Sequence, residues 1–226
     1  MKDADKMDKL KIAIDGPAGS GKSTVAREVA KRLNIKYLDT GAMYRAVTLQ
    51  VIRKNIDLDD LDALQEMLAN TDITLGSGKE VYLNGEDVTE AIRMPAVNEL
   101  VSPVSAISIV RKRLVALQQS IAAETDGIIM EGRDIASRVL PDANYKIYLD
   151  ASLEERSKRR YREQKVKGVT MTLQEVSTEI EKRDIIDSQR KDSPLLIVPD
   201  ALVVDTTDLT IEAVVNLIVE IAQKAK

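Results

Sequence analysis

Short apolar segments recur along the chain, and each one ends at polar or small residues. The five segments are Ile12–Ile14, Tyr37-Leu38, Ile128–Met130, Ile147–Leu149 and Leu202–Val204. Between them, apolar residues recur every three or four positions, as in Val25, Val29 and Leu33 or Ile211, Val214, Val215 and Ile218. This spacing is typical of amphipathic helices, whereas the short apolar runs are typical of buried strands. The alternation predicts an α/β fold with a five-stranded parallel sheet and helices on both faces.

Two sequence signals predict where further helices begin. Ser152-x-x-Glu155 and Thr172-x-x-Glu175 match the capping box, in which the first and fourth residues exchange hydrogen bonds at a helix N-terminus. Gly168 and Pro194 follow as predicted helix stops. The chain therefore predicts one helix after each box.

One stretch departs from this alternation. Residues 72–88 contain ITL, a Gly-rich tetrapeptide, VYL and then Asn84-Gly85. This pattern predicts an antiparallel hairpin followed by a second tight turn. Two interpretations are open: a surface hairpin without a role in binding, or a small β insert that forms one wall of a substrate cleft.

The composition is that of one globular domain with an insertion. The 226 residues include 33 Lys and Arg against 37 Asp and Glu, which gives a net charge of −4, and 44% are hydrophobic. No apolar run exceeds four residues, whereas a membrane span needs about 20. The first ten residues lack the apolar stretch of a secretory signal. We therefore expect a cytoplasmic protein without a membrane partner.

Missing residue types exclude several classes of function. Without Cys or His, the chain has no disulfides, no thiolate metal site and no His-based hydrolase chemistry. An acidic chain without Phe or Trp is poorly suited to bind nucleic acid. Any chemistry must use carboxylates, Lys, Arg, hydroxyls, backbone amides and at most a hard metal ion.

The clearest motif is a phosphate-binding loop. Residues 16–23, GPAGSGKS, fit the pattern G-x-x-x-x-G-K-[ST] between a predicted strand and a predicted helix. The glycines let backbone N–H groups converge on phosphate, and the helix N-terminus adds partial positive charge. Lys22 would reach the β- and γ-phosphates, and the Ser23 hydroxyl would hold Mg²⁺. The predicted ATP-binding residues are Gly16, Pro17, Ala18, Gly19, Ser20, Gly21, Lys22, Ser23 and Thr24.

Several classes of protein use such a loop. A regulatory GTPase is a poor match, because no Asp is followed by Gly three positions later and no Asn precedes Lys. An ATP-hydrolysing switch or motor, a non-catalytic nucleotide-binding module and a small kinase remain open. A kinase acting on an anionic acceptor needs many arginines around its cleft, because the guanidinium fork binds phosphate bidentately.

Arginines follow two of the predicted strands. Arg45 comes after the second strand and Arg133 after the third, so both belong near the carboxyl edge of the sheet, where ligands bind. Ordinary surface ion pairs are the alternative. Arg183, Asp187 and Arg190 are spaced to share one helix face, and the alternative there is an ion pair of little energetic consequence.

Positive charge is concentrated between Arg156 and Lys167, where seven of twelve residues are basic. A charge run of this kind is usually a solvated helix face. The alternative is a mobile, Arg-rich lid that closes over the triphosphate and excludes water.

Five segments together resemble the bacterial cytidylate kinases, a branch of the nucleoside monophosphate kinases. They are IDGPAGSGKST, LDTGAMYR, EGRDI, EERSKRR and KRDIIDSQR, and the resemblance spans about residues 10–220. It implies a P-loop NTPase-type fold in a single domain over residues 1–226. The core would comprise about 10–60, 112–153 and 171–226, with a monophosphate-binding insert at about 61–111 and a lid at about 154–170.

The resemblance also implies roles for individual residues. The acceptor phosphate would contact Arg45, Arg133 and Arg190, and the sugar Arg183 and Asp187. The base would be bound by Ser102, Arg111 and Asp134 with help from Thr40, and Tyr44 would complete the CMP site. The implied catalytic residues are Lys22, Arg133, Arg190 and the lid arginines Arg156, Arg160 and Arg162. Two positions depart from the family: Glu131 replaces a frequent Asp, which puts its metal or base role in doubt, and Thr40 replaces Ser.

The implied reaction is transfer of the γ-phosphoryl group of ATP to CMP or dCMP, with Mg²⁺ bound to ATP. Asp134 suits cytosine, whose exocyclic amino group is a donor that a carboxylate accepts. Uracil has an acceptor there, so it would leave the carboxylate unpaired. ATP and CMP or dCMP are the expected partners, and we expect a monomer.

Overall fold

A computed structural model describes residues 9–76, 78–166 and 168–224. Its strands are β1 (Leu10–Asp15), β2 (Lys36–Asp39), β3 (Ile73–Leu75), β4 (Val81–Leu83), β5 (Glu86–Asp87), β6 (Gly127–Gly132), β7 (Tyr145–Asp150) and β8 (Leu202–Asp205). Its helices are α1 (Lys22–Leu33), α2 (Thr40–Lys54), α3 (Leu61–Ala69), α4 (Pro95–Ala106), α5 (Ser108–Ala123), α6 (Leu153–Val166), α7 (Leu173–Gln189) and α8 (Ile211–Lys224). None of the helices in these ranges is long and apolar enough to cross a bilayer.

The main sheet is parallel throughout, with the strand order β2-β6-β1-β7-β8. These are the five strands predicted from the apolar segments, so the predicted sheet is confirmed. β1 lies in the middle, where Ile12 pairs with Ile129 of β6 and with Tyr145 of β7. The carboxyl ends of all five strands therefore meet at one edge of the sheet.

Alternate side chains of each central strand enter different cores. Ile12 and Ile14 pack with α1 and α8 on one face, while Ala13 between them belongs to the larger core on the other face. The same alternation separates Ile129 from its neighbours in β6, because successive strand residues point to opposite faces. Both faces of the sheet are covered by helices, as predicted.

A small antiparallel sheet, β3-β4-β5, forms the predicted insert. Its second turn contains Asn84 and Gly85, both with positive φ (52° and 83°), as the predicted turn requires. Ser77, in the first turn, lies outside the described residues. The buried face of this sheet joins the larger core through Ile73 and Val81, so it is not a loosely attached surface hairpin.

Helix ends follow the sequence signals with two differences. Thr172 and Glu175 form the complete capping box at α7, but at α6 the structure shows half of one, because the backbone N–H of Ser152 donates to Thr207 instead. The second difference concerns Arg190, which was predicted to lie on the same helix as Asp187. α7 ends at Gln189, and Arg190 is the first residue beyond it.

Candidate functional site

The site lies at the carboxyl edge of the main sheet. β1 leads there into residues 16–21, and α1 begins at Lys22 as predicted. Gly16 has φ +150°, and a Cβ at this position would lie 2.1 Å from the carbonyl oxygen of Leu149 in β7. Gly21 also has positive φ, 93°. The loop's glycines are therefore required by close backbone approach and by left-handed conformation.

Lys22 is buried beneath this loop. Its Nζ donates to the carbonyl oxygen of Pro17 over 2.7 Å and to Oγ of Ser20 over 3.3 Å. Burial, and then the nearby positive charge of Arg133, lowers the pKa of Lys22 to about 7. A phosphate anion beside Nζ would offset both effects and favour the ammonium form.

Asp15, the last residue of β1, connects the loop to the turn after β6. Its two carboxylate oxygens accept from the backbone N–H groups of Ile135 and Ala136, at 2.9 and 2.8 Å. Burial raises the pKa of Asp15 to about 6. The bonds fix the turn that carries Arg133 and Asp134.

Oxygen atoms that could bind a metal ion lie near the end of β6. The hydroxyl of Tyr37 donates to Oε1 of Glu131 over 3.0 Å, and the Ser23 hydroxyl lies near the Glu131 carboxyl. Burial, and then the charge of Asp39, raises the pKa of Glu131. Mg²⁺ is usually bound by one or two carboxylates together with substrate phosphates. The hydroxyl of Ser23 and the carboxyl of Glu131 fit such an ion.

One buried carboxylate and three guanidinium groups, two of them only partly buried, form a cluster near the loop. Nε of Arg133 donates to Oδ2 of Asp187 over 2.6 Å, and Nη2 of Arg190 donates to Oδ1. Nε of Arg183 lies 3.9 Å from Oδ2. Burial alone would raise the pKa of Asp187, but the surrounding guanidinium charges lower it to about 2. The four residues carry a net charge of +2, which favours an anionic ligand.

Arg45 adds another positive charge from α2. Its Nη1 donates to Oδ1 of Asn98 over 2.5 Å and to the carbonyl oxygen of Ile92 over 3.3 Å. Burial lowers the pKa of Arg45 to about 10 and that of Arg183 to about 9. The positive charge of Arg160 lowers both pKa values further. Like charges are thus held together where a dianion would relieve their repulsion.

Arg111 and Asp134 form a buried ion pair next to this cluster. Nη2 of Arg111 donates to Oδ2 of Asp134, and Nη1 donates to the carbonyl oxygen of Ser105 over 3.0 Å. The Arg111 guanidinium lies 5.3 Å from the centre of the Tyr44 ring. Ser102 is also buried, one turn before the end of α4. Arg111, Asp134 and Tyr44 are therefore neighbours, and Ser102 is connected to them through Ser105, whose hydroxyl donates to the carbonyl oxygen of Ser102.

Thr40 has a backbone partner in the structure. Its hydroxyl donates to the carbonyl oxygen of Glu131 over 2.7 Å, which ties the first turn of α2 to the end of β6. The polar residues that end the second apolar segment do not form a loop, because α2 begins at Thr40 itself. The helix starts early because the carboxylate of Asp39 caps it by accepting from the N–H of Ala42.

Several buried donors in this region have no protein partner. Of seven buried side-chain N or O atoms without a hydrogen bond in the described ranges, four belong to predicted CMP-binding residues: the Tyr44 hydroxyl and Nε of Arg111, Arg183 and Arg190. Such atoms are rare in native proteins. Their concentration here indicates a binding site for a ligand rich in hydrogen-bond acceptors.

The basic helix α6 is anchored at its start. Nη1 of Arg156 donates to the carbonyl oxygen of Ala18 over 3.0 Å, and Nε donates to that of Ala151 over 2.9 Å. Nη2 of Arg159 donates to the carbonyl oxygen of Thr206 over 2.6 Å. These two arginines bind backbone carbonyl oxygens and are not part of a solvated helix face.

Farther along α6 the basic residues are more exposed. Nη1 of Arg160 donates to Glu163 over 3.0 Å, on the side of the helix that faces Arg45. Arg162 is exposed, and Lys167, at the end of the basic run, lies outside the described residues. The structure brings Arg156 to the phosphate loop and Arg160 near Arg45 and Arg183, whereas Arg162 is exposed.

Sequence reasoning missed several residues that orient the site. Asn98 holds Arg45, Tyr37 holds Glu131, and Ser108 donates to Asp192 in the segment after Arg190. Their residue types are ordinary, and their partners are far away in the sequence. The carboxylate of Asp184 contacts the phosphate loop; its position inside the motif KRDIIDSQR was the available signal.

Comparisons with known proteins agree with the motifs. A family model described as Cytidylate kinase matches residues 12–224. A cytidylate kinase from Caldanaerobacter subterraneus subsp. tengcongensis is 54% identical over 95% of each chain, and one from Carboxydothermus hydrogenoformans is 50% identical over 94% of this chain and 96% of its own. An uncharacterized protein from Eubacterium ventriosum shares the fold, with a TM-score of 0.52 and 13% identity over 96% of this chain and 99% of its own. The family predicted from the five motifs is confirmed: the chain belongs to the cytidylate kinases.

Proposed function

We propose that the protein transfers the γ-phosphoryl group of ATP to CMP or dCMP, giving ADP and the corresponding diphosphate. One observation carries the proposal: a cluster of arginines, in which Nε of Arg111, Arg183 and Arg190 has no partner, lies close enough to the phosphate-binding loop for its charge to act on Lys22. Membership of the cytidylate kinase family supports the same reaction. The alternative, an ATP-hydrolysing switch or motor, gives no role to this second anion-binding site.

The donor side is formed by residues 16–24. Backbone N–H groups of the loop and the ammonium group of Lys22 would bind the β- and γ-phosphates. Ser23 and Glu131 would hold Mg²⁺, which when bound with ATP neutralises charge on the phosphates. Because Lys22 is buried and tied to Pro17, its position is fixed before the nucleotide arrives.

The acceptor side needs no general base, because a phosphate monoester is already ionised at neutral pH. Arg45, Arg133 and Arg190 would bind its oxygens and align them with the γ-phosphate, while Arg183 and Asp187 would bind the sugar. Catalysis is then positioning and stabilisation of charge. Arg160, which approaches both Arg45 and Arg183, is suited to stabilise the transferring group.

Base selection would rest on the ion pair of Arg111 and Asp134. The carboxylate can accept from the exocyclic amino group of cytosine, and Arg111 and Ser102 can donate to its ring acceptors. Thr40 would assist through its hydroxyl oxygen. The aromatic ring of Tyr44 lies close enough to Arg111 to define the same pocket.

We also propose that the domain has three functional parts. These are a core at about 10–60, 112–153 and 171–226, a monophosphate-binding insert at about 61–111, and a lid at about 154–170. The small sheet supports the insert assignment, because Ile73 and Val81 of this sheet belong to the same core cluster as Tyr44 of the proposed acceptor site. We further propose a cytoplasmic monomer.

The test is an ADP-release assay with CMP, dCMP, UMP, AMP and GMP, each with and without Mg²⁺. We expect Mg²⁺-dependent ADP formation that requires CMP or dCMP, with lower rates for the other acceptors. Release of ADP at the same rate without any acceptor would instead support the switch or motor. A Lys22→Met variant serves as the control for contaminating activity and should be inactive with every acceptor.

A further inference from the structure

One ion pair holds both backbone polar groups of Ala18 in the phosphate loop. Oδ1 of Asp184 accepts from the N–H of Ala18 over 3.1 Å. Nη1 of Arg156 donates to the carbonyl oxygen of Ala18 over 3.0 Å and to Oδ2 of Asp184 over 2.5 Å. The three residues lie in the loop, in α6 and in α7, so one small network connects three segments.

Packing around this network is tight. The side chain of Ala18 lies in an apolar cluster with Val176 and Ile180 of α7. At the next position, a Cβ on Gly19 would lie 3.0 Å from the carbonyl oxygen of Arg156. The tip of the loop therefore contacts α6 and α7 directly, through both polar and apolar groups.

Asp184 lies on the same helix as two residues of the proposed acceptor site. The preceding residue, Arg183, and Asp187 one turn later belong to the proposed acceptor site, whereas Asp184 binds the donor loop. Successive helix residues point in different directions, about 100° apart. α7 thus holds the donor loop with one side and the acceptor cluster with another.

We propose that Asp184, together with Arg156, is a positioning residue that fixes the tip of the phosphate loop against α7. Because both polar groups of Ala18 are bound, the two peptide planes that flank it have one preferred orientation, and the following loop N–H groups are oriented before ATP binds. The inference rests on the proposed function, since the loop is taken to bind ATP. Asp184 itself contacts no phosphate in this account.

Asp184→Ala distinguishes positioning from simple electrostatics. Removing a carboxylate next to a triphosphate site should tighten ATP binding if charge alone matters. Positioning predicts the opposite, a rise of about tenfold in the KM for ATP, because a hydrogen bond involving a charged group is lost. The Kd for CMP, measured by calorimetry, should change less than about twofold, because within the described residues Asp184 makes no hydrogen bond to the acceptor cluster.

Asp184→Asn is the conservative variant. Its amide oxygen can still accept from the N–H of Ala18, so we expect most of the ATP affinity to return. Glu181→Ala is the matched control, because it removes an exposed acid from the same helix and should leave both constants unchanged. An unchanged or lower KM for ATP in Asp184→Ala, or equal losses for ATP and CMP, would overturn the proposal.

Two measurements keep the outcome interpretable. If Asp184→Ala does not fold, Arg156→Lys tests the same network, and an unchanged ATP affinity in that variant contradicts the proposal. Binding of a non-hydrolysable ATP analogue is measured by calorimetry for every variant. This readout does not depend on the acceptor, so a wild-type protein that fails to use CMP would refute the proposed function without deciding the role of Asp184.

Discussion

At the scale of single residues, the acceptor side of the site pairs its two buried carboxylates with guanidinium groups. Asp187 is bound by Arg133 and Arg190, and Asp134 is bound by Arg111. Arginine is suited to this arrangement, because one guanidinium can bind a carboxylate with one N–H and still present another to a ligand. The unpartnered Nε of Arg111 and Arg190 are such groups.

Asp134→Asn tests base selection at this scale. The amide keeps the size of the side chain but replaces one acceptor oxygen with an NH₂ donor. We expect kcat/KM for CMP to fall about 10- to 100-fold, because a charged hydrogen bond is lost, while kcat/KM for UMP changes less. The measurement is the ratio of the two constants, with exposed Asp142→Asn as the control. An unchanged ratio would remove Asp134 from base selection.

At the scale of elements, α7 contacts both the phosphate loop and the arginine cluster. It carries Arg183, Asp184 and Asp187, and it ends immediately before Arg190. Its start depends on local chemistry, since Thr172 and Glu175 exchange hydrogen bonds across the first turn. The sequence predicted this start correctly because a capping box involves residues that are three positions apart.

Thr172→Ala should therefore destabilise the protein through α7. Loss of an N-cap hydroxyl lowers the free energy of unfolding by about 1 kcal/mol, which urea titration can measure. Thr178→Ala is a matched control in the same helix, because the Thr178 hydroxyl donates only to the carbonyl oxygen of Gln174 one turn before it. That change should be neutral or slightly stabilising, since Ala has the higher helix propensity. Equal losses in both variants would mean that the cap has no special role.

At the scale of the whole molecule, Asp187 connects distant parts of the chain. Its side chain binds Arg133 after β6 and Arg190 after α7, and its carbonyl oxygen accepts from the N–H of Leu195. Although burial opposes the shift, the surrounding guanidinium charges lower the pKa of Asp187 from its ordinary 3.8 to about 2. A lowered pKa means that the ionised form stabilises the fold. This contribution is present above about pH 4 and is lost as the pH falls toward 2.

Comparison of the wild type with Asp187→Asn isolates that contribution. The variant should be less stable at pH 7, because buried guanidinium groups lose their carboxylate. Between pH 5 and pH 2, however, the wild type should lose about 2 kcal/mol more than the variant. Urea unfolding at several pH values measures both. Asp15, whose pKa is raised, contributes equally to the two proteins and cancels. Parallel pH profiles would contradict the assignment.

Local features of the chain were sufficient for much of this fold. Hydrophobic periodicity determined the five parallel strands, turn residues determined the small sheet, and the glycine pattern determined the phosphate loop, because each of these depends on residues close together in sequence. The pattern could not place the end of α7 before Arg190 or the start of α2 at Thr40. The carbonyl oxygen of Asp187 accepts from Leu195 beyond the end of α7, a bond that helix propensity does not specify. The start of α2 does have a local signal, the N-cap Asp39, which the strand pattern alone did not use.

The sequence by itself thus determined the order of elements, the donor loop and, through five motifs, the family. Only the tertiary structure decided which charges meet. Arg156 was expected to belong to a lid, yet it holds Ala18 and Asp184, which are 138 and 28 residues away. The partners of Arg156 depend on how α6 and α7 pack against the phosphate loop. Such packing brings together residues that have no fixed spacing, and so no periodic pattern along the chain can encode it.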